Sequence, residues 1–148
     1  MTSSAAIIRE AAGDEHKAFF DEGFSRHAVA QTGMDGANGA AQAFVIRDDA
    51  GAIRAGVVAR IFWGQLHIKN VLCDDAARGK GYAAQLMHEA HDFGRAQGCG
   101  FAFVETMNFQ AEGFYSKLGY VTEFVRPGYA AGTSFIYMKK ELEEPAHA

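Results

Sequence analysis

Apolar and polar residues alternate along the first half of the chain in the manner of β-strands. Phe44-Val45-Ile46 precedes the turn-forming segment Asp48-Asp49-Ala50-Gly51, and residues 53–61 then alternate between apolar and polar or small side chains. Trp63-Gly64 marks a second turn before residues 65–73, which keep the period of two. The pattern therefore predicts three antiparallel strands joined by short turns.

The segment before these strands has helical rather than strand periodicity. Residues 14–31 begin with two acidic residues and contain no proline, which predicts a helix interrupted near Gly23. Residues 32–39 are rich in glycine and small polar side chains, which predicts a mobile loop. Three aromatic residues of the helix are expected in the core or beside a substrate: Phe19, Phe20 and Phe24.

Helical and strand patterns alternate after the third strand. Residues 81–98 carry one apolar stripe at 3.6-residue spacing, and residues 101–105 form a short apolar strand. A second short helix is expected over residues 110–118, with Gly119 as a left-handed cap.

Two closing strands follow this helix, over residues 121–125 and 135–138, and residues 141–148 resemble a frayed tail. The order α, βββ, α, β, α, ββ predicts a single α+β domain with three layers, a mixed sheet between helices.

Composition narrows the functional classes that this fold could serve. The 148 residues are 49% hydrophobic, and 14 basic against 18 acidic residues give a net charge of −4. Such a chain offers no general basic surface for nucleic acid or anionic lipid. Two distant cysteines, Cys73 and Cys99, and an N-terminus without signal features predict a reduced, cytoplasmic protein without a membrane span.

The segment Arg78-Gly79-Lys80-Gly81 lies between a strand and a helix, where it can bind an anion. N–H groups in the first turn of a helix lack intrahelical partners, and glycine lets a diphosphate approach the backbone closely. The glycine spacing matches neither a P-loop nor a dinucleotide-binding fingerprint, which disfavours nucleotide hydrolysis and hydride transfer. Taken by itself, the glycine pair could also be a plain strand-to-helix connection.

Two motifs make the chain resemble the GNAT family, the Gcn5-related N-acetyltransferases. Arg78-Gly79-Lys80-Gly81-Tyr82-Ala83 resembles the family's pyrophosphate loop, and residues 108–120 resemble its later Asn and Tyr segment. The resemblance covers about residues 44–140. It implies a mostly antiparallel central sheet of six to seven strands with helices on both faces. It also implies acetyl-CoA as cosubstrate and a primary amine of a small molecule or peptide as acceptor, without a metal.

The resemblance assigns roles to residues on the expected site. The strand before the loop should bulge and pair with the pantetheine arm, and the loop should hold the diphosphate. The residues implied in cofactor binding are Val71, Leu72, Cys73, Arg78, Gly79, Lys80, Gly81, Tyr82, Ala83 and Asn108. Asn108 could equally be a helix cap or a loop residue.

The same resemblance makes Tyr115 the general acid for the leaving thiolate, with a core tyrosine as the alternative. An unperturbed phenol stays protonated at neutral pH and can donate this proton. His67 occupies the strand position of the base in the histone-acetylating branch, Glu105 is a rival, and water could replace both. Cys73 could form an acyl-enzyme, although it lacks a local histidine partner and direct transfer is favoured.

Other patterns in the sequence indicate different sites or functions. His88 and His91 have a metal-ligand spacing but are expected on a solvated helix face. A catalytically silent acyl-CoA sensor is the alternative function, and an acetyltransferase acting on aminoacyl-tRNA would require a basic surface. The exposed sheet edge is compatible with a homodimer.

Overall fold

A computed structural model of the protein describes residues 5–36 and 39–142, and the chain divides into two compact units after Gly36. The first unit contains one long helix and the second contains the sheet. The hypothesis of a single domain over residues 1–148 remains a prediction. None of the described helices combines the length and the apolar character that a bilayer crossing requires.

The first unit is the helix α1, Asp14–Thr32. It runs through Gly23 without the interruption expected from the sequence, because one glycine lowers helix propensity by only about 1 kcal/mol. Gly33 ends it in a left-handed conformation with φ 77°. None of its residues is buried, so the expectation that Phe19, Phe20 and Phe24 are core residues is wrong. Of the predicted mobile loop, residues 37–38 lie outside the described residues.

The second unit is a six-stranded sheet in the order β1-β2-β3-β4-β6-β5. Its strands are β1 (Gln42–Arg47), β2 (Ile53–Phe62), β3 (Gln65–Cys73), β4 (Phe101–Met107), β5 (Val121–Arg126) and β6 (Phe135–Glu141). Only β3 and β4 are parallel neighbours; every other neighbouring pair is antiparallel. This mixed sheet with helices confirms the predicted fold class.

One face of the sheet carries the core beneath the helix α2, Tyr82–Ala96. Leu86, Met87 and Ala90 of α2 form one buried cluster with alternate residues of the strands, among them Val57 and Leu66. Gly94 lets the helix approach the sheet closely, since a Cβ built there would lie 2.9 Å from Leu66 Cδ2. The apolar stripe predicted for this helix is therefore the face that packs.

The last helix and strands lie where the sequence predicted them. α3 is the short helix Glu112–Lys117, and Gly119 follows it with φ 97°. β6 extends through Glu141, and the next residue, Leu142, is buried, with its N–H donating to Gly100 O at 2.9 Å. The predicted frayed tail, residues 141–148, therefore does not begin before residue 143. Residues 143–148 lie outside the described part of the chain.

Candidate active site

The glycine turn connects β3 to α2 through a short 3₁₀ turn, Asp75–Ala77. Gly79 and Gly81 both have left-handed backbone conformations, with φ 81° and 75°, which glycine adopts without a steric penalty. No heavy atom lies within 4 Å of a Cβ built on either residue, so the space over the turn is open. Gln85 N donates to Gly81 O, which leaves the preceding N–H groups of α2 available to an anion.

Basic side chains surround this turn. Arg78 and Lys80 are exposed, Arg78 pairs with Asp75 at 3.0 Å, and Lys80 Nζ lies 5.9 Å from the ring centroid of Tyr82. A cavity of about 300 Å³ adjoins the turn and is lined in part by Arg47 and Lys80. These side chains and the helix N-terminus suit the charge of a diphosphate.

Arg54 holds the beginning of this connection, a role that sequence reasoning missed. Its guanidinium binds Asp48 at 2.8 Å and Asp74 at 2.6 Å, and Asp74 N donates to Arg54 O. Hydrogen bonds from Ala52 N and then from Arg54 lower the pKa of Asp48. Arg54 thus ties the residue after β3 to the β1–β2 turn, and only the pairing of β2 with β3 brings these groups together.

The parallel strands β3 and β4 separate before either strand ends. The two strands are paired over three residues, Leu66 to Ile68 of β3 opposite residues 102–104 of β4. Beyond Ile68, the described residues of these strands are not paired with each other. Residues 70–73 of β3 remain paired with β2, while residues 105–107 of β4 remain paired with β6. The edges that face each other across this opening can receive an extended ligand in the manner of an added strand.

The bulge in β3 lies two residues earlier than the resemblance implied. Val58 pairs with Asn70 and Ala59 pairs with Ile68, so Lys69 is the extra residue. The expected position was Val71 to Cys73, which instead retains a regular register opposite residues 55–57. The bulge therefore coincides with the point where β3 leaves β4.

His67 and Glu105, the rival bases, are hydrogen-bonded to each other at this point. His67 Nε2 lies 2.8 Å from Glu105 Oε2, and the imidazole stacks on Phe103 with ring centroids 4.6 Å apart. The Glu105 side chain is 31% exposed and that of His67 is 15% exposed. His67 Nδ1 is buried without a hydrogen-bond partner among the described residues. The carboxylate is therefore the more accessible proton acceptor.

Tyr115 lies on α3 with its ring in the core and 5% of its surface exposed. Its ring contacts Phe114 and Tyr120, with centroids 5.3 and 5.5 Å away. Burial raises the pKa of Tyr115 to about 12. The phenol therefore remains protonated at every physiological pH, as a proton donor to a thiolate must.

His91 is a second residue that sequence reasoning misplaced. It was expected on a solvated face of α2, yet it is 1% exposed and its Nε2 lies 2.7 Å from Tyr120 Oη. Burial, followed by the charges of Lys140 and Arg95, lowers the pKa of His91 to about 4. His91 belongs to the buried stripe because it lies four residues after Met87. In the part of the chain that the structure describes, no three potential metal ligands converge.

Asn108, directly after β4, is hydrogen-bonded to Ser134, directly before β6. Its N–H donates to Ser134 O at 3.0 Å, and Ser134 N donates to Asn108 Oδ1 at 3.1 Å. The N-cap of α3 is Ala111, so Asn108 is not a helix cap. The side-chain oxygen of Asn108 thus accepts a hydrogen bond from the segment before β6. The role of Asn108 toward a ligand remains a prediction.

The two cysteines differ in their surroundings. Cys99 is buried, and burial raises the pKa of its thiol, which disfavours the reactive thiolate. Cys73 is half-buried at the end of β3, with Sγ 3.7 Å from Asp74 O.

Comparison with known proteins gives one matching family and several relatives. An acetyltransferase (GNAT) domain model matches residues 7–142. The blasticidin-S acetyltransferase of Streptomyces morookaense is 36% identical over 93 residues, which cover 62% of this chain and 68% of that protein.

Solved structures share the fold at lower identity. An acetyltransferase from Bacillus cereus superposes with a TM-score of 0.78 at 23% identity, over 91% of this chain and 97% of that one. A protein assigned as a streptothricin acetyltransferase from Bacillus anthracis, solved with acetyl coenzyme A, has a TM-score of 0.61 at 20% identity. That match covers 70% of this chain and 64% of the other.

Proposed function

The chain belongs to the GNAT acetyltransferase family and is an acetyl-CoA-dependent acetyltransferase, and we propose that it transfers the acetyl group directly to a primary amine of a small molecule. The observation that carries the proposal is the opening between β3 and β4, which begins beside the His67–Glu105 pair. The glycine turn follows β3 directly, so the donor and the proton acceptor adjoin the same strand.

The turn suits the donor because it combines open backbone with positive charge. The free N–H groups at the start of α2 would bind the diphosphate of acetyl-CoA, with Arg78 and Lys80 at its rim. The edge of β3 after the bulge, residues 71–73, would pair with the pantetheine arm. When bound, acetyl-CoA supplies an activated thioester.

The proton balance of the transfer can be met by residues of this chain. The attacking amine must lose a proton, and Glu105 would accept it directly or through water. His67 would hold the carboxylate in place through their 2.8 Å contact. The amine nitrogen then forms a bond to the thioester carbonyl carbon, and the carbon–sulfur bond breaks.

Tyr115 would give its phenolic proton to the departing thiolate. Its pKa of about 12 keeps the phenol protonated before the reaction, whereas a free thiol has a pKa of about 8.5, so the thiolate is a weaker base than the phenolate. The transfer is therefore uphill in the ground state. It would be coupled to carbon–sulfur bond cleavage and to reprotonation of the phenolate from solvent.

A small-molecule acceptor is favoured by the relatives and by the charge of the chain. One relative is named a blasticidin-S acetyltransferase, and a protein of similar fold is assigned as a streptothricin acetyltransferase. The net charge of −4 provides no basic surface for an RNA-linked acceptor.

Steady-state kinetics with a panel of primary amines test the proposal. We expect N-acetylated product by mass spectrometry in equal amount to the free CoA thiol, with intersecting double-reciprocal plots, as direct transfer requires. Alcohols with the same carbon skeletons are the matched control and should not be acetylated. Thiol release without an acetylated amine, or parallel plots that indicate an acyl-enzyme, would contradict direct N-acetylation.

A further inference from the structure

A cavity of about 360 Å³ is lined in part by Phe103, the residue that stacks on His67, and has no role in the chemistry described above. Five aromatic side chains line it: Phe62, Trp63, Phe101, Phe103 and Tyr137. Ligand pockets of this size are usually apolar with a few polar groups. Its aromatic lining therefore indicates a binding site for an apolar or planar group.

The turn that contributes Trp63 has a backbone conformation that is unfavourable for a bulky side chain. Trp63-Gly64 is the two-residue connection between β2 and β3, and Trp63 has φ 48°. Such type I′ turns favour asparagine, aspartate or glycine at this position because a bulky side chain is disfavoured at positive φ. Strain of this kind is often retained where a side chain serves a ligand. Here the 41% exposed indole lies at the cavity.

The cavity adjoins the candidate site at Phe103. One face of the Phe103 ring stacks on His67, and the same residue lines the cavity. Phe101, Phe103 and Glu105 alternate along β4 and therefore lie on one face of the sheet. At the rise of a β-strand, the cavity lies about 7 to 13 Å from the Glu105 position.

The charges around the cavity favour a neutral occupant. The guanidinium of Arg60 already lies over Phe62, and the ammonium of Lys139 lies 4.8 Å from the centroid of Phe101. Glu123 supplies a carboxylate, and Gln65 uses its Oε1 to accept from Gly100 N and Phe101 N. A further cation would meet like charge there, whereas a neutral ring would find aromatic edges and two polar groups.

We propose that this cavity binds a neutral aromatic or heteroaromatic ring of the acceptor, carried about 7 to 13 Å from the amine that is acetylated. This inference rests on the proposed function, because it places the acceptor nitrogen at Glu105. The preferred substrates would then be elongated amines that end in a planar ring.

The test uses two series of primary amines with linkers of increasing length that bracket this distance. One series ends in a phenyl ring and the other in a methyl group. We expect kcat/KM to be greatest for a ring-bearing amine of intermediate length, about tenfold or more above its ring-free counterpart.

Variants of Trp63 test whether the cavity causes this preference. Trp63→Asn, which suits the turn, should bring the ratio of kcat/KM between ring-bearing and ring-free amines close to one, and Trp63→Phe should largely preserve it. Val121→Thr, an exposed change outside the cavity, should leave the ratio at its original value.

A binding measurement separates failure of this inference from failure of the proposed function. Trp63 is the only tryptophan of the chain, so its fluorescence reports directly on the cavity. Ring-bearing amines should change its emission with saturation, and ring-free amines should not. A saturable change without acetylation would support the cavity and contradict amine transfer. Acetylation without ring preference and without an emission change would overturn the cavity inference alone.

Discussion

The side chain of Tyr115 illustrates how one residue can have a structural and a chemical role. Its ring packs in the core against Tyr120, and the same burial raises the pKa of the phenol to about 12. The sequence motif predicted a proton donor but left a core tyrosine as the alternative. The structure shows a core ring whose phenol stays protonated at neutral pH and is a weaker acid than an ordinary tyrosine.

Replacing Tyr115 with phenylalanine separates these roles. Tyr115→Phe keeps the buried ring and removes the proton, so we expect kcat to fall about 100-fold or more. The KM for acetyl-CoA and the melting temperature should change little. Stopped-flow and steady-state assays of thiol release measure the effect. An unchanged kcat at saturation would leave Tyr115 as a packing residue only.

The pairing of His67 with Glu105 predicts unequal effects of mutation. Glu105→Gln removes the accessible proton acceptor and should lower kcat/KM about 100-fold. His67→Asn keeps a hydrogen-bonding group beside Glu105 and should lower kcat/KM by a smaller factor, about tenfold. Separate values of kcat and KM provide the second readout: kcat should carry most of the loss in both variants. The reverse order of effects would make histidine the base.

At the level of elements, periodicity predicted the order of helices and strands because each segment has one buried face. It did not predict the bulge at Lys69 or the separation of β3 from β4 after Ile68. Both depend on the register of strands that are distant in sequence, where a shift of one residue changes the partner of every later residue.

The glycine turn gives a prediction at this level. Gly81→Ala places a Cβ at φ 75°, which should cost about 1 kcal/mol of folding free energy and raise the KM for acetyl-CoA about tenfold. Gly98→Ala is the matched control, since Gly98 has φ 84° at the other end of α2. Chemical denaturation and CoA binding by calorimetry measure the two effects. Equal losses of affinity in both variants would assign the effect to folding.

For the molecule as a whole, the buried contact of His91 with Tyr120 joins α2 to the segment after α3. The folded state keeps the imidazole of His91 neutral, with a pKa of about 4 compared with 6.5 for a histidine with an unperturbed pKa. Unfolded chains therefore bind more protons between these values, and stability must fall as the pH decreases from about 6.5 to 4.

Urea unfolding at several pH values tests this link. The folded protein should lose up to about 3 kcal/mol of unfolding free energy across that interval through His91. The double variant His91→Phe with Tyr120→Phe, which leaves no unpaired polar group, should lack this part of the pH dependence. His88→Gln, at an exposed position of the same helix, should retain it. If the unfolding free energy changed equally with pH in the parent protein, the double variant and His88→Gln, groups other than His91 would cause the acid sensitivity.

The sequence by itself determined the order of elements, the glycine turn and the two family motifs, because these depend on spacing within short segments. Only the tertiary structure decided that His67 meets Glu105 across 38 residues, that His91 is buried against Tyr120, and that aromatic residues from several strands enclose one cavity. Local periodicity depends only on residues that are close in sequence, whereas contacts between distant segments depend on strand register and on the packing of complementary side chains.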